Sequence, residues 1–339
     1  MKKNILVTGG LGYIGSHTIV ALHEAGFNPI IIDNCSNSSY NFLNRITKII
    51  GYVPLYYSYD VCDKKSLDSV FKSHTIDGVI HFAAFKSVGD SVINPLQYYR
   101  NNLDSLVTLL EVMQENESAN LIFSSSCSLY GNAKQQPVTE ETPLEKSQSP
   151  YAHTKQVGEE IIIATCLANP KLKAISLRYF NPIGAHSSAL IGESPLGVPS
   201  NLIPYLTQVA AGLRDELLVH GNDYDTPDGT CIRDYIHVVD LAEAHVMALQ
   251  RIFDGKHQSN YELFNIGTGK GSSVLECITT FEAVSKVNVK YKIGPRRAGD
   301  IVKVWADTKK ANTVLGWEAK LDLKSMLESA WKWQLEGNI

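Results

Sequence analysis

The chain has 339 residues, with 31 Lys+Arg against 35 Asp+Glu for a formal charge of −4, and 44% of it is hydrophobic. That apolar content excludes a disordered chain, and the near-neutral balance excludes partners held by bulk charge, so neither nucleic acid nor a membrane surface is expected as a partner. The length suits one large domain or two ordinary ones. In chain order, Asn4–Thr8 reads as a buried strand and Tyr13–Gly26 as a helix. Pro29–Asp33, Pro54–Tyr59, Gly78–Phe82, Asn120–Ser124 and Lys173–Phe180 read as further strands. Helices are expected between them at about Tyr40–Ile50, Lys65–His74, Leu96–Gln114 and Ala152–Ala168. Short bulky runs bounded by turn residues, each followed by a helix, predict a parallel sheet covered on both faces. After Phe180 the pattern changes to Gly- and Asp-rich loops with helices near Leu202–Gly212, Val239–Arg251 and Ser273–Val284. A boundary near residue 180 is expected, with a smaller, loop-rich lobe over 181–339.

No apolar run reaches the roughly 18 residues of a membrane span. Met1-Lys2-Lys3-Asn4 leads into too short an apolar stretch for a signal peptide, so a soluble, cytoplasmic protein is expected. Cys35, Cys62, Cys127, Cys166, Cys231 and Cys277 form no C-x-x-C pair and read as reduced thiols; no metal-ligand spacing stands out, and no metal is expected.

Thr8-Gly9-Gly10-Leu11-Gly12-Tyr13-Ile14-Gly15 lies where the first strand turns into the first helix. Glycines at this spacing make a tight turn, let backbone approach a pyrophosphate and permit close helix–strand packing, with the helix N-terminus facing the negative charge. Asp33, at the end of the second strand, can accept from ribose hydroxyls and would repel a 2′-phosphate, which favours NAD over NADP. The fold class expected is therefore α/β, a Rossmann-type doubly wound parallel sheet over 1–180 with a smaller α/β substrate lobe behind it. A later strand near 262–267 is a candidate to return to that sheet. Asp60-Val61, after the third strand, stand where an adenine contact would fall, although a capping aspartate fits as well.

Tyr151 and Lys155 form Y-x-x-x-K on one helix face. A phenol of pKa about 10 is a poor base at neutral pH, but a neighbouring ammonium and a cationic nicotinamide both favour the phenolate. Ser124-Ser125-Ser126 ends the fifth strand. Ligands of such sheets lie at the carboxyl ends of strands, so the serine run should point into the cofactor crevice.

The glycine segment, the serine run, Tyr151-x-x-x-Lys155 and Leu177-Arg178-Tyr179-Phe180-Asn181-Pro182 together resemble the extended short-chain dehydrogenase/reductase family, and more narrowly its UDP-glucose (UDP-galactose) 4-epimerase members. The resemblance runs along essentially the whole chain and includes Asn222-Asp223-Tyr224, Arg233-Asp234-Tyr235-Ile236-His237-Val238 and Arg296-Arg297-Ala298-Gly299-Asp300. It implies that Gly9, Gly12, Tyr13, Ile14 and Gly15 cover the NAD pyrophosphate and that Asp33 and Asn34 meet the adenosine ribose. Asp60 and Val61 would flank adenine, while Phe82, Ala83, Lys86, Asn101, Ser124 and Tyr179 line the rest of the groove. Ser126 and Tyr151 would act on the sugar 4-hydroxyl and Lys155 would hold the nicotinamide ribose. Lys86, Asn181, Asn201, Leu202, Val219, His220, Arg233, Arg297 and Asp300 would hold the UDP-sugar. His220 stands where the family often has an aromatic near uracil. An arginine pair suits a pyrophosphate because the guanidinium fork matches its oxygens.

The chemistry so implied is epimerisation at C4 through a transient 4-keto sugar, in a homodimer pairing the helices near 96–114 and 152–168. A sugar-nucleotide 4,6-dehydratase shares most of this machinery but needs an acid beside the catalytic Ser or Thr. Here Cys127, Ser128 and Leu129 follow Ser126. A non-catalytic NAD sensor would need no Tyr/Lys pair. Within the resembling family the residue before the Trp-Ala-Asp segment gates the sugar 2-substituent; here it is Val304, before Trp305-Ala306-Asp307. A small valine leaves room for an N-acetyl group, which implies turnover of UDP-GlcNAc and UDP-GalNAc, and an enzyme preferring them is the alternative. Equally, Val304 could simply pack a core.

Overall fold

The computed structural model describes residues 2–297 and 300–337. Strands Asn4–Thr8 (β1), Asn28–Ile32 (β2) and Leu55–Tyr57 (β3) alternate with helices Tyr13–Glu24 (α1) and Asn41–Ile50 (α2). Lys64–Ser73 (α3) leads to Gly78–His81 (β4), then Val88–Ile93 (α4) and Pro95–Glu115 (α5). Asn120–Ser126 (β5), Pro150–Ala168 (α6) and Lys173–Tyr179 (β6) complete the first half. The second half holds Asn181–Ile183 (β7), Leu202–Ala210 (α7), Leu217–His220 (β8), Ile232–His237 (β9) and Val238–Phe253 (α8). Tyr261–Ile266 (β10), Gly271–Ser273 (β11), Val274–Ser285 (α9), Tyr291–Gly294 (β12), Lys303–Val304 (β13) and Leu323–Lys332 (α10) follow.

Among the described residues, one parallel sheet runs in the order β10-β6-β5-β4-β1-β2-β3. Its central strands are continuous apolar runs because helices cover both faces. Ile5, Val7, Ile31, Ile80 and Ile122 face one core with α1, α2 and α8, and Leu6, Ile30, Val79, Leu121 and Phe123 face another with α3, α5 and α6. The period of two sorts neighbouring residues to opposite faces. β10 comes from the second half of the chain yet pairs with β6 from Ala174 to Tyr179. β9 carries a smaller sheet with β7, β11 and β13, and β8 pairs with β12. A separate apolar cluster gathers α7, α9 and α10 around Leu206, Phe281 and Leu327.

Element boundaries differ from the sequence expectation for local reasons. α1 stops at Glu24, since Ala25 and Gly26 turn back to Ala21 and His23 and Gly26 has φ +85°. β3 is confined to three residues at the sheet edge, after Pro54, which has no N–H to donate. β5 continues through Ser126, held by β6 along its whole length. α4 was not expected: Ser87 caps it through the Asp90 N–H, but Val88, Val92 and Ile93 are exposed, so it carries no core-facing stripe to read. No helix among the described residues is long and apolar enough to cross a membrane.

Candidate active site

The connections from β1 and β4 leave in opposite directions, which opens a crevice at their carboxyl ends, the usual ligand position in such sheets. There the glycine turn lies on the β4 tip. Gly9 has φ +69°, and a Cβ on it would meet the Ala83 nitrogen at 2.9 Å. A Cβ on Gly15 would stand 2.2 Å from the Gly9 carbonyl oxygen. Side chains are thus excluded on both sides of the turn. Thr8 Oγ1 ties the two strand tips, meeting His81 Nδ1 at 2.8 Å and accepting from the Ala83 N–H at 3.3 Å. α1 begins at Gly12 with no side-chain cap and no acid in its first turn. No acidic side chain of the helix itself thus occupies its N-terminal donors and positive dipole end, which fits a phosphate group.

Asp33 is buried and already committed in part. Its Oδ2 accepts from the Leu11 N–H at 3.0 Å, and its Oδ1 accepts from the Cys35 N–H at 2.9 Å and the Ser38 hydroxyl at 2.7 Å. A carboxylate has about four acceptor positions, so roughly one remains for a ribose hydroxyl. Asn34 Nδ2 donates to Asp60 at 3.2 Å, while Asp60 accepts from the Cys62 N–H in a local turn. The residue that caps α3 is Asp63, which accepts from the Lys65 and Ser66 N–H groups, so the capping reading of Asp60 is corrected. Val61 is buried in the core against α3 and α5, with 4% of its surface exposed. Phe82 packs against His245, 4.7 Å between ring centroids. Asn101 donates to Asn102, which in turn holds both the Phe85 backbone and Thr154 of α6.

Ser149 caps α6 and Pro150 opens it, so Tyr151 and Lys155 sit on its first turns, one above the other. Both are buried. Lys155 Nζ donates to the Ser124 carbonyl at 2.5 Å and lies 4.9 Å from the Phe123 ring centroid. The serine run does not point one way. Ser124 bonds the Tyr179 hydroxyl, and Ser126 accepts from the Ser128 N–H and hydroxyl at 3.2 and 2.9 Å. Ser125 lies on the opposite face of the strand and bonds Glu159 of α6. The expectation that the whole run enters the crevice is corrected by the strand extending through Ser126, since alternation takes the middle hydroxyl away.

Burial dominates the electrostatics. It pushes the Tyr151 phenol up, with Tyr179 adding to this and Ser126 opposing it. It pushes Lys155 down to about 8, with Glu159 opposing. The protein alone therefore holds Tyr151 as the neutral phenol, and burial outweighs the help expected from the ammonium. His81 falls to about 3 through burial and then the Lys155 charge, so it is neutral.

The other expected ligand-binding residues, Lys86 apart, are spread across the second half. Lys86 pairs with Glu193 at 3.4 Å, and Asn201 Nδ2 donates to the same carboxylate at 2.7 Å. Glu193 was not anticipated: a carboxylate in a loop carries no periodic signal. Tyr13 likewise reaches across, donating to the Gly184 carbonyl at 2.6 Å. Arg233 donates to the Ile232 carbonyl at 2.9 Å, and Arg297 pairs with Asp300 at 2.6 Å. Ala298 and Gly299, between Arg297 and Asp300, lie outside the described residues. Asn181 is in register with Tyr235, Leu202 packs on the α7 cluster and Val219 is buried in it, so Val219 offers core packing rather than an open side chain. His220 sits at the end of β8 opposite Gly294. Val304, 1% exposed, packs with Tyr130, Val138, Phe180 and Ala306, next to Cys127.

The family model described as GDP-mannose 4,6 dehydratase matches residues 6–330. The UDP-glucose 4-epimerase of Yersinia enterocolitica is 49% identical, over 98% of this chain and 97% of its own. The solved UDP-glucose 4-epimerase of Stenotrophomonas maltophila, with bound NAD and formylated UDP-arabinopyranose, superposes with a TM-score of 0.95 at 46% identity, covering 98% of each chain. That of Bifidobacterium longum, in complex with NAD+ and UDP, gives 0.95 at 45% identity and 99% of each. With the glycine turn, the Tyr151/Lys155 helix and the β5 serines assembled at one switch point, and near-complete coverage by relatives this similar, the chain belongs to the UDP-glucose 4-epimerase family of NAD-dependent isomerases within the extended short-chain dehydrogenases/reductases.

Proposed function

We propose that the chain interconverts UDP-glucose and UDP-galactose at C4 with NAD held in the β1/β4 crevice, and that it also accepts the N-acetylated UDP-hexoses. The observation that carries the first part is Tyr151 and Lys155 buried one turn apart on α6, beside the Ser126 end of β5, in the sheet whose β1 leads into the uncapped start of α1. Gly9, Gly12, Tyr13, Ile14 and Gly15 hold the pyrophosphate through backbone, Asp33 the adenosine ribose and Lys155 the nicotinamide ribose. When bound, NAD supplies a reversible hydride acceptor and a positive charge beside the Tyr151 hydroxyl. Tyr151 removes the O4 proton and returns it after the 4-keto sugar has turned over, while Ser126 hydrogen-bonds the same oxygen. Asn201, Arg233 and Arg297 keep the UDP part tethered. A coupled assay of UDP-galactose conversion to UDP-glucose tests this, and release of a dehydrated product would refute it. Dehydration lacks support at Ser126, where Cys127 follows instead of an acid; burial lifts the Cys127 thiol to about 12 despite Arg233.

The wider substrate range rests on the size of Val304. Val304 packs in one cluster with Phe180 and Cys127, the residue after Ser126, and a tyrosine there would add an aromatic ring to that cluster. Good UDP-glucose turnover with none of UDP-GlcNAc would overturn this second part. A homodimer through α5 and α6 is supported by Leu96 and Leu167, 82% and 79% exposed, with Val107 and Ile163 between them. Sedimentation equilibrium at micromolar protein measures it, and a monomer would refute it.

A further inference from the structure

Beneath the catalytic helix lies a buried polar network that the reaction as described above does not use. Glu159 is two turns beyond Tyr151 and one beyond Lys155 on α6, 4% exposed. It takes a two-pronged ion pair from Arg178 of β6, Nε to Oε1 at 2.9 Å and Nη2 to Oε2 at 2.5 Å. Arg178 is the register partner of Ser125, and the Ser125 hydroxyl bonds the same carboxylate. Arg178 Nη1 donates to the Tyr130 hydroxyl at 3.0 Å, and Tyr130 donates to Asn265 of β10 at 2.6 Å. Tyr130 belongs to the turn that directly follows Ser126.

We propose that Glu159, locked by Arg178, is a positioning residue for the reaction: it pins the middle of the Ser124–Ser126 run from below and, one turn beyond Lys155 on the same helix face, sets a carboxylate beside that ammonium. The proposal rests on the roles given to Tyr151 and Lys155 above. Ser124 offers its carbonyl to Lys155 and Ser126 its hydroxyl to the reacting oxygen, so both flank the residue Glu159 holds. A buried ion pair is weak evidence of stabilisation, because desolvation cancels most of its attraction, and a specific placement is the better reason for one. The charge around Lys155 supports the second half. Glu159 on its own helix is the anion that raises it against burial. Arg178 faces the far side of that carboxylate from β6, and His81 of β4 is neutral. Tyr151 of α6, Tyr179 of β6, Tyr261 of β10 and Cys127 after β5 are all kept protonated by burial. Tyr98 of α5 is also kept protonated by burial, and Asp90 of α4 is engaged with it.

Three variants of the full-length holoenzyme test this. Glu159→Gln keeps an acceptor for Ser125 but removes the charge, and Glu159→Gln with Arg178→Met leaves no unpaired charge buried, so it guards against a folding failure of the first. In Glu159→Gln the alkaline midpoint of kcat should fall by about one pH unit, and in the double variant, where the opposing Arg178 charge is lost as well, it should fall by less, with KM for UDP-galactose within about twofold in both. The 13C shift of the Lys155 ε-carbon, followed against pH in lysine-labelled protein and assigned with Lys155→Met, should move by the same amount without any turnover. Ser125→Ala deletes one hydroxyl and both charges stay; kcat should drop about tenfold while the Lys155 titration holds. An unmoved Lys155 titration in Glu159→Gln, one that fails to fall in the double variant, or full kcat in Ser125→Ala, overturns the proposal. Full turnover by Tyr151→Phe would instead overturn the reading on which it rests.

Discussion

Two glycine-to-alanine substitutions in helices should have opposite signs. In Gly15→Ala the new methyl carbon would lie 2.2 Å from the Gly9 carbonyl oxygen and 2.8 Å from the Gly10 Cα. Both neighbours are backbone of the turn, so no side chain can move aside, and a normal contact of about 3.5 Å requires the turn and α1 to separate by about 1 Å. Overpacking of this kind costs about 1–3 kcal/mol, and immovable neighbours put it at the upper end. Helix propensity opposes it by about 1 kcal/mol in favour of alanine. The net is a destabilisation of about 2 kcal/mol. Cofactor affinity should fall at least about tenfold, because the displaced atoms are those offered to the pyrophosphate. Gly89→Ala is the counterpart: it lies in α4, and its methyl would meet nothing within 4 Å. There the propensity is unopposed, and a gain of about 0.5 kcal/mol is expected. Urea unfolding of both variants and an NAD titration followed calorimetrically measure these effects. If Gly15→Ala is as stable as the parent and binds NAD within twofold, the packing argument is wrong.

Tyr151→Phe should lower UDP-galactose turnover by at least about a hundredfold while NAD still binds, since only the proton-carrying oxygen is lost; a coupled assay and a binding titration separate the two. Val304→Tyr should abolish turnover of UDP-GlcNAc and leave that of UDP-glucose within about threefold, measured on both substrates in parallel. Acid should destabilise the fold through four buried histidines. Burial lowers His17 and His81 to about 3 and His237 and His245 to about 4. Below the unfolded value of about 6.5 the unfolded chain takes up protons that the folded chain refuses, so stability present above that pH is lost as pH falls, at about 1.4 kcal/mol per histidine per unit. Together that is roughly 5 kcal/mol by pH 5.5. Urea midpoints at pH 7.0 and 5.5 check it, and equal midpoints would show that these rings accept protons in place.

His17 and His245 also show why such a property is not written locally. Each bonds a carbonyl one turn back on its own helix through Nδ1, Tyr13 and Leu241 respectively, and each leaves Nε2 buried with no partner among the described residues. A histidine in a helix reads the same whether it faces water or a neighbouring element; burial in the packed protein keeps these two neutral, with His186 and His237 adding to it at His17 and the Phe82 and Tyr179 rings covering His245.

What the sequence alone determined were features whose physics is local. The glycine turn, the period-two and 3.6-residue patterns and the i,i+4 spacing of Tyr151 and Lys155 depend on residues within a few positions of each other, so the order of the strands and of the helices between them in the first half, α4 apart, could be read directly. What only the tertiary structure decided depends on partners far along the chain. Tyr13 finds the Gly184 carbonyl, Lys86 and Asn201 share Glu193, and Arg178 meets Tyr130 and Glu159. The same holds for the fate of Ser125, turned away from its two neighbours, and for Lys155, whose proton affinity is set by burial and one carboxylate rather than by its own motif. Spacing fixes which residues share a helix face. Which face is buried, and beside which charge, follows from how distant segments pack.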